Sequence, residues 1–232
     1  MKPYDVGLIC GRFQTFHKGH EKLVETGLML CDRLLIFVGS SQECGTERNP
    51  LNINTRTKMI KAVYGDNDNI MIYGLADLTN ENDIRPEWGR YLLDNADRYI
   101  HKNPEVMIYG NDESRSAWFD KSDLKNTTEL IINRAELPVS GTMLREFMFA
   151  DKRKEWMQWV NPKLHKMYDE IRSELLASKQ KAQERTKIKN ALRCLNDNGI
   201  DKMECPEVLR ALCYILYDSE IDNLLEEDDY SD

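Results

Sequence analysis

Short, almost wholly apolar runs alternate with longer amphipathic stretches through the first 140 residues of the chain. "DVGLIC" (5–10) reads as a buried strand. "RLLIFVGS" (33–40), apolar along nearly its whole length, reads as a parallel strand covered on both faces. Between them, residues 19–31 set Leu23, Val24, Gly27, Leu28 and Leu30 at helical spacing. "NTRTKMIKAVYG" (54–65) predicts a second helix, with Met59, Ile60 and Val63 on one side and Gly65 near its end. "NIMIYG" (69–74), "EVMIYG" (105–110) and "TELIIN" (128–133) are the third, fourth and fifth strands. A helix opening at Pro86 and carrying Trp88, Tyr91, Leu92 and Tyr99 separates the third from the fourth. This alternation predicts an α/β fold, a Rossmann-like doubly wound parallel sheet of five strands. Ligands of such sheets bind beyond the carboxyl ends of the strands.

The strand pattern stops at Ser140. "NPKLHKMYDEIRSELL" predicts a helix capped by Asn161, with Pro162 in its first turn and Leu164, Met167, Tyr168, Ile171 and Leu175 on one face. A basic stretch and the strongly apolar "PEVLRALCYILY" (206–217) come next, and the end is acidic. The expected division is a nucleotide-binding domain over 1–175 and a helical extension with an acidic tail over 176–232. The apolar face of "VLRALCYILY" has to be covered, within the chain or against a second copy, so a homo-oligomer stays open.

Composition narrows the class. At 41% hydrophobic and 31% charged residues, the chain reads as a soluble globular protein. A net charge of -8 excludes a broad basic footprint, so nucleic acid is not an expected partner. No stretch is apolar enough to span a bilayer, and "MKPYDVGLIC" has no signal core, so no membrane partner is expected either. Cys10, Cys31, Cys44, Cys194, Cys205 and Cys213 form no CxxC pair and no metal-ligand spacing. They read as reduced thiols, and the expected compartment is the cytoplasm.

The candidate chemistry sits just past the first strand, in "GRFQTFHKGH" (11–20). Gly11 lets the backbone turn, and a helix then starts with its unpaired N–H groups and positive dipole end, a place for an anion. His17 and His20 fall on one side of that start, Gly19 leaves room between them, and Arg12 and Lys18 add cationic donors. A zinc site would need a third ligand that the spacing does not supply. Beyond the second strand, "ERNPLNINTRTKMI" directs Arg48 toward the same edge, while Arg56 reads equally as a solvated surface residue or a functional one. "PVSGTMLREFM" (138–148) offers a second anion-accepting helix start through Ser140, Thr142 and Arg145. Two such starts on one sheet edge suggest a polyphosphate held between them.

These residues resemble the nucleotidylyltransferase superfamily, with its HxGH turn after the first strand and its S-G/S-T-x-(L/I)-R turn after the last. "GRFQTFHKGH", "RNPLNINTRTKMI", "NDIRPEW" and "SGTMLREFM" look most like the nicotinamide mononucleotide adenylyltransferases of archaeal type and their bacterial relatives, over residues 4–172. The resemblance implies transfer of adenylate from ATP to nicotinamide mononucleotide, giving NAD and pyrophosphate, with Mg²⁺ accompanying the ATP. It implies His17, His20 and Arg145 as the catalytic set. Gly11, Arg12, Phe13, Lys18 and Gly19 from the first turn would bind ATP, together with Arg48, Gly110, Ser140, Gly141 and Thr142. Asn82, Asp83 and Trp88 would meet the mononucleotide, Trp88 lying against its nicotinamide ring or packing in the core. No protein group is implied as a metal ligand. Thr15 stands where the family usually has proline, and nothing after Leu175 shows the glutamate pattern of the Nudix domain that some bacterial relatives carry. Phosphopantetheine adenylylation, cytidylyl transfer to a sugar or polyol phosphate, and a catalytically silent nucleotide sensor remain alternatives.

Overall fold

The computed structural model describes residues 2–79, 87–111, 118–120, 122–133, 135 and 137–198. Its sheet comprises β1 (Tyr4–Gly11), β2 (Cys31–Val38), β3 (Ile70–Gly74), β4 (Val106–Gly110) and β5 (Thr128–Ile132). All pairings are parallel, in the order β3-β2-β1-β4-β5. The helices are α1 (Lys18–Leu30), α2 (Ile53–Tyr64), α3 (Glu87–Ile100), α4 (Gly141–Phe149), α5 (Arg153–Gln158) and α6 (Tyr168–Asn198). This is the five-stranded parallel architecture that the apolar pattern predicts.

The period-2 alternation of each strand splits the core into two layers. Ile9, Leu34, Ile36, Val38, Val106 and Ile108 face one layer, closed by Val24 of α1, Met59, Ile60 and Val63 of α2, and Ile171 and Leu175 of α6. Val6, Leu8, Leu35, Phe37 and Met107 face the other, closed by Leu92, Leu93, Ala96 and Ile100 of α3. The first layer depends on a close approach: a Cβ on Gly27 of α1 would stand 2.6 Å from Leu34 Cδ1, so any side chain there would force the packed Leu34 to move.

Asn161 does act as a cap, its side chain accepting from the Lys163 N–H, but residues Pro162–Met167 form a 3-10 segment and the α-helix begins only at Tyr168. One compact unit spans Met1–Ser178 and a second runs from Lys179. The apolar segment 206–217, together with Asn82, Asp83 and Pro86, lies outside the described residues. Among the described residues, no helix is long and apolar enough to cross a membrane.

Candidate functional site

The chain leaves β1 for β2 on one side and returns with β4 on the other, so a crevice opens at the carboxyl ends of β1 and β4. A cleft of about 570 Å³ occupies that place. Four separate segments line it: the turn after β1, the loop before α2, the end of β4, and the start of α4.

The first turn supplies Gly11, Arg12, Phe13, Gln14, His17 and His20. The imidazoles stack, centroids 3.8 Å apart and planes 18° from parallel. Three-residue spacing at a helix start puts both on one face. Phe13 meets the edge of His20 at 4.9 Å and Phe16 lies against it at 5.6 Å, so aromatic rings hold the pair in place. Phe13 itself takes a left-handed backbone (φ 54°), the kind of local strain that surrounding structure must enforce.

The same periodicity sends Lys18 and Gly19, read as ATP contacts, elsewhere. Neither lines the cleft: Lys18 is exposed, and Gly19 is buried. Successive helical residues turn by about 100°, so positions flanked by two cleft-facing histidines face away. The helix start is also less open than a bare N-terminus, because the Lys18 N–H donates to the Trp159 carbonyl at 2.9 Å.

The loop before α2 supplies Glu47 and Arg48, and Arg12 Nη1 donates to the Arg48 carbonyl at 3.3 Å. From α4 come Ser140, Gly141, Thr142 and Arg145. Ser140 is the N-cap, its hydroxyl accepting from the Met143 N–H at 3.1 Å. Arg145 donates to the Gln14 carbonyl at 2.5 Å and to the Thr142 hydroxyl at 3.1 Å, which locks the two anion-accepting turns together. Burial, helped by the nearby Arg12 charge, holds the Arg145 guanidinium below its ordinary range. Such a group remains protonated at neutral pH. Gly141 makes the junction possible, since a Cβ there would lie 2.2 Å from the Gln14 oxygen. Gly110 closes the cleft at the end of β4.

Trp88 is not part of this lining. It is 5% exposed and packs in the α3 layer, edge-on to Tyr91 and 5.3 Å from Trp118. Arg56 is neither a surface residue nor a cleft residue but fully buried, its fork spent on main-chain carbonyls behind the rim. Sequence reading missed Gln14, whose side chain bonds Asn49 Oδ1, the Leu51 carbonyl and the Leu51 N–H, stitching the first turn to the α2 loop. A buried amide between two phosphate-type turns leaves no spacing signal. Tyr109, which also lines the cleft and donates to Glu129 at 2.6 Å, was within reach as the residue before Gly110.

Among the described residues, the lining therefore brings three guanidinium groups and two imidazoles to one crevice against a single carboxylate, Glu47. Among the described residues, no group of three or more His, Cys, Asp or Glu could hold a metal ion. A parallel sheet with a cationic crevice at its switch point defines a Rossmann-like domain built to receive phosphates. The chain belongs to the cytidylyltransferase-like family, whose model matches residues 8–180.

Its relatives are more particular. A nicotinamide-nucleotide adenylyltransferase from Saccharolobus solfataricus is 39% identical over 108 residues, 44% of this chain and 60% of that protein. Another from Aeropyrum pernix is 25% identical over 168 residues, 71% of this chain and 90% of that protein. Among solved structures, a bifunctional NMN adenylyltransferase/ADP ribose pyrophosphatase from Francisella tularensis, complexed with AMP and a manganese ion, shares the fold with a TM-score of 0.59 at 18% identity. That likeness covers 85% of this chain and 57% of the Francisella chain.

Proposed function

We propose that this protein is a nucleotidyltransferase that joins nicotinamide mononucleotide to ATP, forming NAD and releasing pyrophosphate. One observation carries the reading: His17 with His20, Arg12 with Arg48, and Arg145 reach the same cleft from three distant segments. The relatives named as nicotinamide-nucleotide adenylyltransferases support the choice of ATP and the mononucleotide within the wider cytidylyltransferase-like family.

The reaction needs no protein nucleophile. A phosphate oxygen of the mononucleotide forms a bond to the α-phosphorus of ATP as the bond to the bridging oxygen breaks, and the electron pair leaves with pyrophosphate. Charge moves onto the bridging and leaving oxygens, so catalysis is positioning plus electrostatic stabilisation. His17 and His20 stabilise the α-phosphate as it is attacked. Arg12 and Arg48 take the triphosphate, and Ser140, Gly141, Thr142 and Arg145 hold its far end, with Gly11 and Gly110 leaving the backbone close to the nucleotide. The substrate is MgATP, its metal bound by phosphate oxygens and water. Asn82 and Asp83 belong to the acceptor side of this reading, Trp88 supports that side from within the α3 layer, and the enzyme works in the cytoplasm.

The test is pyrophosphate release from ATP or CTP with a panel of acceptors. Turnover is expected with ATP and nicotinamide mononucleotide or its deamidated form. Turnover only with phosphopantetheine, or only from CTP with a polyol phosphate, overturns the assignment. ATP binding without any turnover would make the protein a sensor.

A further inference from the structure

Arg56 is the largest charged side chain fully buried in the molecule's described part, at 0% exposure. Burying a guanidinium is costly unless its donors are all met, and cores do as well or better with apolar residues of similar volume. Here the five N–H donors have main-chain partners. Nη1 donates to the carbonyls of Arg12 (3.1 Å) and Gly39 (2.6 Å), Nη2 to those of Ser40 (2.9 Å) and Glu43 (3.5 Å), and Nε to that of Asn52 (3.3 Å). The first four of those acceptors mark the carboxyl ends of β1 and β2 and the loop that leads to Arg48, and Asn52 is the cap of α2. Ser40 adopts φ 48°, a left-handed backbone that a non-glycine residue holds only under constraint. Arg12, whose carbonyl is gripped, in turn donates through its own side chain to the Arg48 carbonyl.

We propose that Arg56 is a positioning residue for the phosphate rim: its planar fork fixes the strand end that carries Arg12 and the start of the loop that carries Arg48, and so sets where those two guanidinium groups meet a triphosphate. The proposal rests on reading Arg12 and Arg48 as triphosphate ligands. The base of the fork is itself rigid. Asn52, the cap of α2, is held by Glu174 of α6, whose carboxylate accepts from the Asn52 N–H and side-chain amide at 2.6 Å each and from the Thr55 hydroxyl at 2.5 Å. Burial pulls the Arg56 guanidinium down to about 10, which leaves it charged at neutral pH. Its positive charge, met by carbonyl dipoles and no bonded carboxylate, adds to the field at the rim.

A lysine cannot reproduce five donors in a plane. Arg56→Lys is expected to raise the Kd for MgATP, by calorimetry, about tenfold, and its KM equally, while the KM for the mononucleotide stays within about twofold. In an Arg12→Ala/Arg48→Ala background the same change should weaken ATP less than about twofold further, because positioning absent side chains is worth nothing. If Arg56→Lys does not fold, Glu174→Gln, which loosens the α2 start without touching the fork, must show the same ATP-only effect. Penalties that multiply in that combined variant, a matching rise in the mononucleotide KM, or unchanged ATP binding would overturn the positioning role alone. Unchanged ATP binding in Arg12→Ala would bring down the triphosphate reading, and this inference with it.

Discussion

The stacked His17 and His20 rings, 3.8 Å apart, sit at the cleft with aromatic support on both sides of His20. In the proposed reaction an imidazole placed this way would act on charge that develops at the α-phosphate, so its removal should show mainly in turnover. His20→Ala is expected to lower kcat on the order of 10²–10³-fold. A large fall in Tm with kcat preserved would assign His20 to packing instead. Trp88 behaves oppositely, since its indole is shut into the α3 layer. Trp88→Ala should cost about 3–5 kcal/mol of stability by denaturant titration. Trp88→Phe, which keeps most of that volume, should raise the mononucleotide KM and leave ATP unaffected; a rise confined to ATP would remove Trp88 from the acceptor side. At this scale the histidine pair was legible because three-residue spacing is a local fact. The burial of Arg56 was not, because an arginine one turn into a helix looks the same in sequence whether water or four distant carbonyls receive it.

At the scale of elements, the start of α1 carries a buried carboxylate directly beside the histidines. Glu21 is 8% exposed and accepts from the Asn161 side chain at 2.8 Å. Burial pushes its carboxyl above the usual range, against the opposing Asn161 hydrogen bond and with Glu25 adding repulsion. A carboxyl with a raised folded-state pKa gives stability that is present below its unfolded value, about 4.3, and lost as pH rises through the folded value. Glu21→Gln keeps an acceptor for Asn161 and removes the charge. It should therefore be more stable than the parent at pH 7.5, with the difference vanishing below about pH 4. Equal stability at both pH values would mean that the buried charge is compensated. The α4 start shows what element-level reading can and cannot deliver. Ser140 as its cap followed from residue type, and the hydrogen bond to Met143 agrees. That Gly141 lets α4 close onto the Gln14 carbonyl, far away along the chain, is a property of the packed pair.

Across the whole molecule, a chain of net charge -8 concentrates three arginines and two histidines, among its described residues, in one crevice at the switch point of its sheet. Such a site should be read out globally: MgATP at one hundred times its Kd adds about 2.7 kcal/mol to stability and should raise Tm by roughly 5–10 °C. No shift with MgATP, against a shift with CTP, would redirect the assignment to cytidylyl transfer.

The apolar alternation by itself determined the order and kind of the elements from β1 to β5, and the residue types in "GRFQTFHKGH" and "SGTMLREFM" by themselves marked two anion-accepting helix starts. Both are consequences of short-range periodicity and capping, which a linear chain displays directly. Only the tertiary structure decided which of those residues share a crevice, sent Lys18, Gly19 and Trp88 away from it, and enlisted Gln14 and Arg56 in holding it together. Those outcomes depend on strand order, on close approaches at Gly27 and Gly141, and on buried donors finding distant carbonyls. Contacts of that kind join residues far apart in the chain and leave no local spacing by which to read them.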